Sequence, residues 1–175
     1  MKYTQEQMHK KTLETVAALM MSAAETAPKG KGISTLEAFV VDREEKTALV
    51  KQMRMMGKTL GAPIYERDAL NIEASPCIVL MAATNARRNI QHCGYCGAKD
   101  CMTSQKLGVP CAFSVGDLGI AIGSAVAIAA THHIDNRIMF SVGKAALAMN
   151  MFSSSAVVAY GIPLSISAKS PFFDR

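Results

Sequence analysis

The sequence predicts an α+β fold in which helices cover both faces of a sheet. One observation is the order of patterns along the chain, which reads helix, strand, helix, strand, helix, helix, strand. Another is the apolar share of 50% in 175 residues, which is enough to bury a sizeable core. No internal repeat or low-complexity segment divides the chain. We therefore expect a single domain over residues 1–175.

The opening of the chain predicts a long amphipathic helix followed by a loop. Thr4 and Gln7 have capping-box spacing, and apolar residues then recur at helical intervals as far as about Ala27. Pro28 and two nearby glycines end the helix. The loop that follows, residues 29–34, reads KGKGIS.

A strand and two helices come next. The stretch TLEAFVV has strand composition, and Asp42 is placed to cap a second helix. The apolar face of that helix consists of Leu49, Met53, Met56 and Leu60. The segment GAPIYERDALNIEAS predicts a short helix between loops.

In the second half, an apolar strand over residues 77–83 precedes a cysteine-rich segment. The apolar helix after that segment is predicted to run from Ser114 to about His133, with small residues on all faces. A further helix covers residues 142–149. The stretch SAVVAYGIP predicts a last strand that ends at Gly161 and Pro163.

Charge and hydropathy exclude several classes of protein. The net charge of +5 comes from 19 basic and 14 acidic residues that are interspersed and not interleaved with aromatic residues, so we expect no nucleic-acid partner. The longest apolar run, residues 118–130, is shorter than the roughly 20 residues that cross a bilayer. With no signal-peptide pattern at the start, we expect a cytoplasmic protein without a membrane partner.

Four clustered cysteines carry the strongest chemical signal. Cys93, Cys96, Cys101 and Cys111 have the spacing C-x2-C-x4-C-x9-C, and glycines and a proline between them allow tight turns. Such thiolates can occupy the four corners of a 4Fe-4S cluster, with a two-iron cluster as a minor option. A zinc ion is the alternative, as are free or redox-active thiols. The fifth cysteine, Cys77, lies in an apolar run and is expected to be a buried core residue.

The phrase CGYCGAKDC resembles the CGxCGxxxC signature of small iron-sulfur domains in ferredoxin-like proteins and reductase subunits. Most of the chain is similar to the DUF2148 family, which is described as ferredoxin-domain proteins of unknown function. The resemblance implies that residues 89–113 form a cluster-binding segment inserted in the domain.

A second resemblance is to the nitroreductases. The run from LETVAALM to ALVKQM is similar to their opening helix, Ala-Pro loop, strand and helix. The stretch DLGIAIGSAVAIAATHHI is similar to their central dimer helix, and AVVAYGIP is similar to their last strand. This resemblance implies a three-layer nitroreductase-like sheet, a homodimer and FMN near the Ala27–Ser34 loop. Where those enzymes carry an arginine pair and a Gln-Pro-Trp, this chain reads HKKTL and KGKGIST.

The basic residues and glycines at the matching positions are the candidate flavin-binding residues. They are Lys11, Lys29, Gly30, Lys31, Gly32 and Lys169, with Lys10 beside the first of them. A glycine-bearing loop with lysines can hold a phosphate through backbone amides and charge. The same loop can equally be a solvated turn.

Two functions follow from these observations. The first is an iron-sulfur redox protein, an electron carrier or a nitroreductase-like reductase, acting with a redox partner protein. The second is a non-enzymatic sensor or interaction protein that zinc or a cluster stabilises. No nucleophile, base and orienting residue occur in a pattern that supports a hydrolase, and the sequence assigns no catalytic residue.

Overall fold

The computed structural model describes residues 2–173. The elements along the chain are α1 (Gln5–Thr26), β1 (Leu36–Val41), α2 (Arg43–Leu60), α3 (Pro63–Glu73), β2 (Cys77–Thr84), α4 (Cys101–Lys106), α5 (Ala112–Thr131), β3 (Asp135–Asn136), α6 (Phe140–Ala148) and β4 (Ala156–Ser165), with a short 3-10 turn over Gly30–Gly32. The four strands form one sheet in the order β1-β2-β4-β3, and every neighbouring pair is antiparallel.

The first helical layer consists of α1 and α5. Apolar residues of both helices pack on alternate residues of β2, among them Val79 and Met81. Alternate residues of a strand point to opposite faces of the sheet, so these two define one face. The buried positions of α1 recur every three or four residues and are Leu13, Val16, Ala17, Met20 and Ala24.

The second helical layer consists of α2, α3 and α6 on the other face of the sheet. It packs on the intervening residues of β2, which are Ile78, Leu80 and Ala82. The result is the predicted α+β arrangement, a three-layer sheet with helices on both faces. Because β2 is covered on both sides, seven of its eight residues are buried, as the apolar run in the sequence indicates.

Two glycines let α6 approach β4 closely. A Cβ atom placed on Gly143 would lie 1.9 Å from the carbonyl oxygen of Ala159, and one on Gly161 would lie 2.2 Å from Val142. No side chain fits at such distances without moving the backbone. These positions therefore require glycine for packing.

The last strand is longer than predicted. It continues through Gly161 and Pro163 as far as Ser165. Gly161 exchanges both backbone hydrogen bonds with Met139. Pro163 is two residues further along β4, so its backbone nitrogen faces the same neighbouring segment. That segment is no longer part of β3, which has ended at Asn136. Proline is tolerated there because no ladder hydrogen bond is required of it.

The apolar helix α5 is buried on one side only. By length and composition alone, it is the one helix in residues 2–173 that could cross a membrane. Of its most apolar 18 residues, 39% are buried inside the protein. The buried residues face α1 and the sheet. The exposed positions form a single stripe, which is small and apolar except for the polar Thr131 at its end; the residues are Gly116, Gly119, Ile120, Gly123, Ala127, Ala130 and Thr131.

Candidate metal centre

The structure brings the four clustered cysteines to one place. Cys93, Cys96, Cys101 and Cys111 all line one cavity of about 20 Å³ between β2 and the start of α5. All four are free thiols, and only Cys111 is fully buried. The spacing in the sequence is thus matched by a common location in the fold.

Cys111 is the best anchored of the four. It is the N-cap residue of α5, and its backbone N–H donates to Oδ1 of Asn85 at 3.0 Å. The hydroxyl of Ser114, one turn later, donates to the carbonyl of Ala86 at 2.9 Å. These two bonds fix the start of α5 to the chain that leaves β2.

The other three cysteines lie in a mostly exposed segment that folds back on itself. A turn between Cys93 and α4 is closed by the N–H of Gly97, which donates to the carbonyl of Gly94 at 2.9 Å. Both glycines have left-handed backbone angles, with φ of +59° and +82°, which only glycine adopts without strain. Asp100 then caps α4, whose first residue is Cys101.

Hydrogen bonds to sulfur favour the thiolate at two of the cysteines. The backbone N–H of Ala98 lowers the pKa of the Cys96 thiol. Burial alone would raise the pKa of Cys111, but backbone N–H groups, including that of Arg88, and the Arg88 charge bring it below its ordinary value. Thiolates are the form of cysteine that binds metals.

The cysteines are close together but not arranged around a single ion. Within residues 2–173, no three His, Cys, Asp or Glu side chains have positions that could hold one metal ion. Zinc would need its thiolate sulfurs about 3.8 Å apart, from a zinc–sulfur bond of about 2.3 Å. The cavity itself has room for about one water molecule.

An arginine with an unpaired donor lines the same cavity. Arg87 lines it together with the cysteines, and its Nη2 donates to the carbonyl of Val109 at 3.3 Å. Its Nε atom, like that of Arg88, is shielded from solvent and has no hydrogen-bond partner among the described residues; of the two arginines, only Arg87 lines this cavity. A buried N–H without an acceptor is rare in folded proteins and indicates an unfilled role.

A buried ion pair joins the start of the cysteine segment to the Gly30–Gly32 turn. Arg88 is 2% exposed and donates from Nη2 to Oδ2 of Asp117 at 2.8 Å. The same carboxylate oxygen accepts the backbone N–H of Gly30 at 3.0 Å. Arg88 also donates to the carbonyl of Ile33 at 3.0 Å.

The predicted flavin loop is packed against this ion pair. A Cβ atom on Gly30 would lie 3.1 Å from the Phe113 ring and 3.3 Å from Arg88 Nε. The ammonium of Lys29 donates to three carbonyls at the end of α1, of Ala24, Glu25 and Ala27, at 2.6 to 2.9 Å. Lys29 therefore serves as a helix cap, and all three of its N–H donors are occupied.

The remaining candidate flavin residues are dispersed. Lys31 and Gly32 are exposed and both have positive φ. Lys11 lies 16 residues before Ala27 on α1, which places it about 24 Å from the loop. Within one protomer, Lys31 and Gly32 adjoin Lys29 and Gly30 in the turn, whereas Lys11 does not lie beside them; the flavin site stays a prediction.

Lys169 lies at the far end of the sheet from the Gly30–Gly32 turn. It lines a cavity of about 620 Å³ with Arg67 and Arg137, beyond the end of β4. β1 begins beside Ala83, whereas β4 ends beside Cys77, at the opposite end of β2. A linear resemblance could not distinguish the two ends of the sheet.

Cys77 lies apart from the other four cysteines. Its side chain belongs to the core between α1, α5 and the sheet. Burial raises the pKa of its thiol to about 11. The prediction of a buried core residue is confirmed.

Sequence reasoning did not identify Arg87, Arg88 or Asp117 as site residues. Asp117 is the single charged residue in the apolar stretch that forms α5, and a buried charge requires a partner. The Arg87-Arg88 pair lies directly before the cysteine segment. In the sequence, the lone carboxylate within the apolar stretch and the arginine pair before the cysteine segment were the signals that could have identified these residues.

Comparison with known proteins shows the family and the fold. A family model described as "Uncharacterized protein containing a ferredoxin domain (DUF2148)" matches residues 107–175. An uncharacterized protein of Archaeoglobus fulgidus is 40% identical over 169 residues, which cover 91% of this chain and 90% of that one.

Among solved structures, the chain is similar to FMN-containing nitroreductases. A nitroreductase with bound FMN from Desulfitobacterium hafniense has a TM-score of 0.59 at 14% identity, covering 97% of this chain and 81% of the other. An FMN-dependent nitroreductase from Clostridium difficile has a TM-score of 0.56 at 18% identity, covering 91% and 77%. The fold is therefore nitroreductase-like; at this identity the likeness shows nothing further.

Proposed function

Because the chain belongs to the DUF2148 family of uncharacterized proteins containing a ferredoxin domain, we propose that it is an iron-sulfur redox protein. Cys93, Cys96, Cys101 and Cys111 would hold a 4Fe-4S cluster, which supplies one-electron transfer when bound. The observation that carries the proposal is the convergence of these four cysteines on one cavity.

The chemistry around the cavity suits a cluster. Backbone N–H groups of residues such as Ala98 and Phe113 point toward cysteine sulfurs, and such bonds stabilise thiolates that carry negative charge. Because the cavity is only about 20 Å³, the exposed segment must move outward to accept the group. The exposed turns of residues 91–97 leave room for that movement.

The cavities favour an electron carrier over a reductase. An enzyme needs a concave substrate site beside its cofactor. The two cavities of about 620 Å³ lie elsewhere, one beside Lys169 and the other beside Cys77. The cysteine segment is instead largely open to solvent, where a redox partner protein can approach it.

FMN does not fit the candidate residues of one protomer. Lys29 is occupied as a helix cap, and Lys11 and Lys169 lie far from the Gly30–Gly32 turn. A flavin site would need groups from a second protomer. We therefore assign no step to flavin, and flavin analysis of the purified protein tests its presence.

A homodimer through α5 is part of the proposal. The exposed stripe of this helix is apolar, and Ile120 in its middle is 49% exposed. A Cβ atom on Gly119 or Gly123 would meet nothing within 4 Å, so the stripe is flat and open. Flat surfaces of small residues allow two helices to pack closely. Covering the stripe with a second copy would remove apolar surface from water.

A second candidate is a metal-dependent sensor. The observation that favours it is that the cysteines are gathered without a preformed metal geometry, so binding zinc or a cluster must change the shape of residues 91–108. A binding-induced change in an exposed segment is a means of signalling to a partner. A stable one-electron couple distinguishes the carrier from the sensor.

Single cysteine variants test the assignment of the ligands. The protein is purified anaerobically, and the absorption of the cluster is measured for Cys93→Ser, Cys96→Ser, Cys101→Ser and Cys111→Ser. We expect each to lose the brown chromophore. Cys77→Ala is the matched control, because this cysteine is a core residue at the start of β2, whereas the cysteine segment follows the end of β2, and it should keep the chromophore.

The outcomes separate the candidates. Full retention of the cluster in one of the four serine variants would remove that cysteine from the ligand set. A colourless unsubstituted protein with stoichiometric zinc would contradict the redox proposal and favour the sensor. If Cys77→Ala lost the cluster while all four serine variants kept it, the assignment of the ligands would be contradicted.

A further inference from the structure

We propose that Arg87 sets the reduction potential of the cluster: its unpaired Nε donates to a sulfur in the cysteine cavity, which raises the potential. The inference rests on the proposed function. It names a role for a residue outside the four ligands. What carries it is a buried donor without an acceptor, placed among the four cysteines.

The guanidinium of Arg87 is held in place by a carbonyl of a residue that does not line the cavity. Nη2 of Arg87 donates to the carbonyl of Val109 at 3.3 Å. The same carbonyl accepts the hydroxyl of Ser104, a buried residue of α4, at 2.9 Å. Val109 thus ties Arg87 to the helix that begins with Cys101, so a movement of that helix carries the donor with it.

The charge of Arg87 is not matched by a carboxylate. Among residues 2–173, no Asp or Glu oxygen lies within ion-pairing distance of it. Its neighbour Arg88 differs, because Asp117 neutralises that guanidinium at 2.8 Å. Arg87 therefore brings an unpaired positive charge to the cavity wall, which it shares with Asp100, the cap of α4.

A fixed positive charge and an N–H donor act in the same direction on reduction. One-electron reduction adds a negative charge to the cluster and its thiolates. Arg87 stabilises that added charge more than it stabilises the oxidised state. Hydrogen bonds to the sulfurs and the net charge around a cluster are both known to set its potential.

The test is an anaerobic redox titration with viologen mediators, which supply and accept the single electron. For Arg87→Gln, we expect iron and sulfide contents equal to those of the unsubstituted protein. We expect reduction to be about tenfold less favourable, which is ~59 mV for one electron. Arg87→Lys keeps the charge without the planar fork and should lie between the two.

Lys106→Gln is the matched control. It removes one positive charge from an exposed position on α4, where solvent and salt screen the charge, so the potential should stay unchanged. A shift as large as that of Arg87→Gln would show a general charge effect and overturn the inference.

Two further outcomes keep this inference separate from the proposed function. An unsubstituted protein without iron and sulfide would contradict the proposed function itself, and this inference with it. Equal potentials for a fully loaded Arg87→Gln variant and the unsubstituted protein would overturn this inference alone. Where Arg87→Gln fails to retain its cluster, Arg87→Lys decides: a lowered potential supports the role, and an unchanged one overturns it.

Discussion

Arg88 and Asp117, 29 residues apart in the chain, form a buried ion pair of 2.8 Å that joins the cysteine segment to the Gly30–Gly32 turn. The arginine follows β2 and the aspartate lies in the second turn of α5. The pair also receives the backbone N–H of Gly30 at 3.0 Å. Three segments distant in sequence are therefore held by one carboxylate.

Removing that carboxylate should destabilise the fold strongly. Asp117→Ala leaves the Arg88 charge buried without a partner, and we expect the free energy of unfolding to fall by about 3–5 kcal/mol. Chemical denaturation followed by circular dichroism measures it. Replacing both residues, as Arg88→Met with Asp117→Leu, should cost less than Asp117→Ala alone, because no unpaired charge remains. A double variant that loses more free energy of unfolding than Asp117→Ala would contradict this account.

Gly143 should not tolerate a side chain. In Gly143→Ala the new Cβ would lie 1.9 Å from the Ala159 carbonyl oxygen, a backbone atom of β4. We expect a loss of about 1–3 kcal/mol in the free energy of unfolding, measured by denaturation. Gly116→Ala is the control, since its Cβ would meet nothing within 4 Å in one chain. Both substitutions are made in the Ile120→Glu background, so that the proposed dimer does not contribute, and there Gly116→Ala should be neutral or stabilising by up to ~1 kcal/mol. Equal stabilities of the two variants would show that α6 does not pack on β4 in this way.

The exposed stripe of α5 should mediate dimer formation. Ile120→Glu introduces a charge in the middle of the stripe, and burying that charge between two copies would be costly. Sedimentation analysis should find a dimer for the unsubstituted protein and a monomer for this variant. Leu60→Glu is the control, because Leu60 is also exposed but lies at the end of α2. A monomeric unsubstituted protein would refute the dimer.

Cys77 should be unreactive toward alkylation in the folded protein. With a pKa of about 11, about one thiol in 1,000 is ionised at pH 8. A raised pKa lowers the thiolate fraction, so the rate should increase about tenfold for each unit of pH up to that value. Iodoacetamide labelling of the metal-free protein, followed by peptide mass spectrometry, should modify the partly exposed Cys93, Cys96 and Cys101 first. Labelling of Cys77 as fast as Cys96 at pH 8 would contradict its burial.

The arrangement of layers was predictable because hydrophobic spacing reports local structure. The period of α1 and the continuous apolar run of β2 depend only on neighbouring residues, and both elements lie where expected. The end of β4 was not predictable. Whether Pro163 ends the strand depends on whether the adjacent segment of chain needs a hydrogen bond from the nitrogen of residue 163, and this is known only once the sheet is assembled. The two-residue strand β3 and the short helix α4 were also missed; Asp100, which caps α4, was the available signal.

The site was predictable only in part. The cysteine spacing predicted a common location, and the four side chains line one cavity. The link between Arg88 and Asp117 could not be derived, because it arises only when α5 packs against the chain leaving β2. Lys11 and Lys169 were grouped with the Gly30 loop by resemblance, and the sheet places them at its other end.

The most direct test of the account is elemental analysis of the anaerobically purified, unsubstituted protein, combined with its absorption spectrum. Iron, acid-labile sulfide, zinc and flavin are measured in one sample. The account predicts about four irons and about four sulfides per chain, with a brown chromophore that dithionite bleaches. Stoichiometric zinc without sulfide in a colourless protein would contradict it.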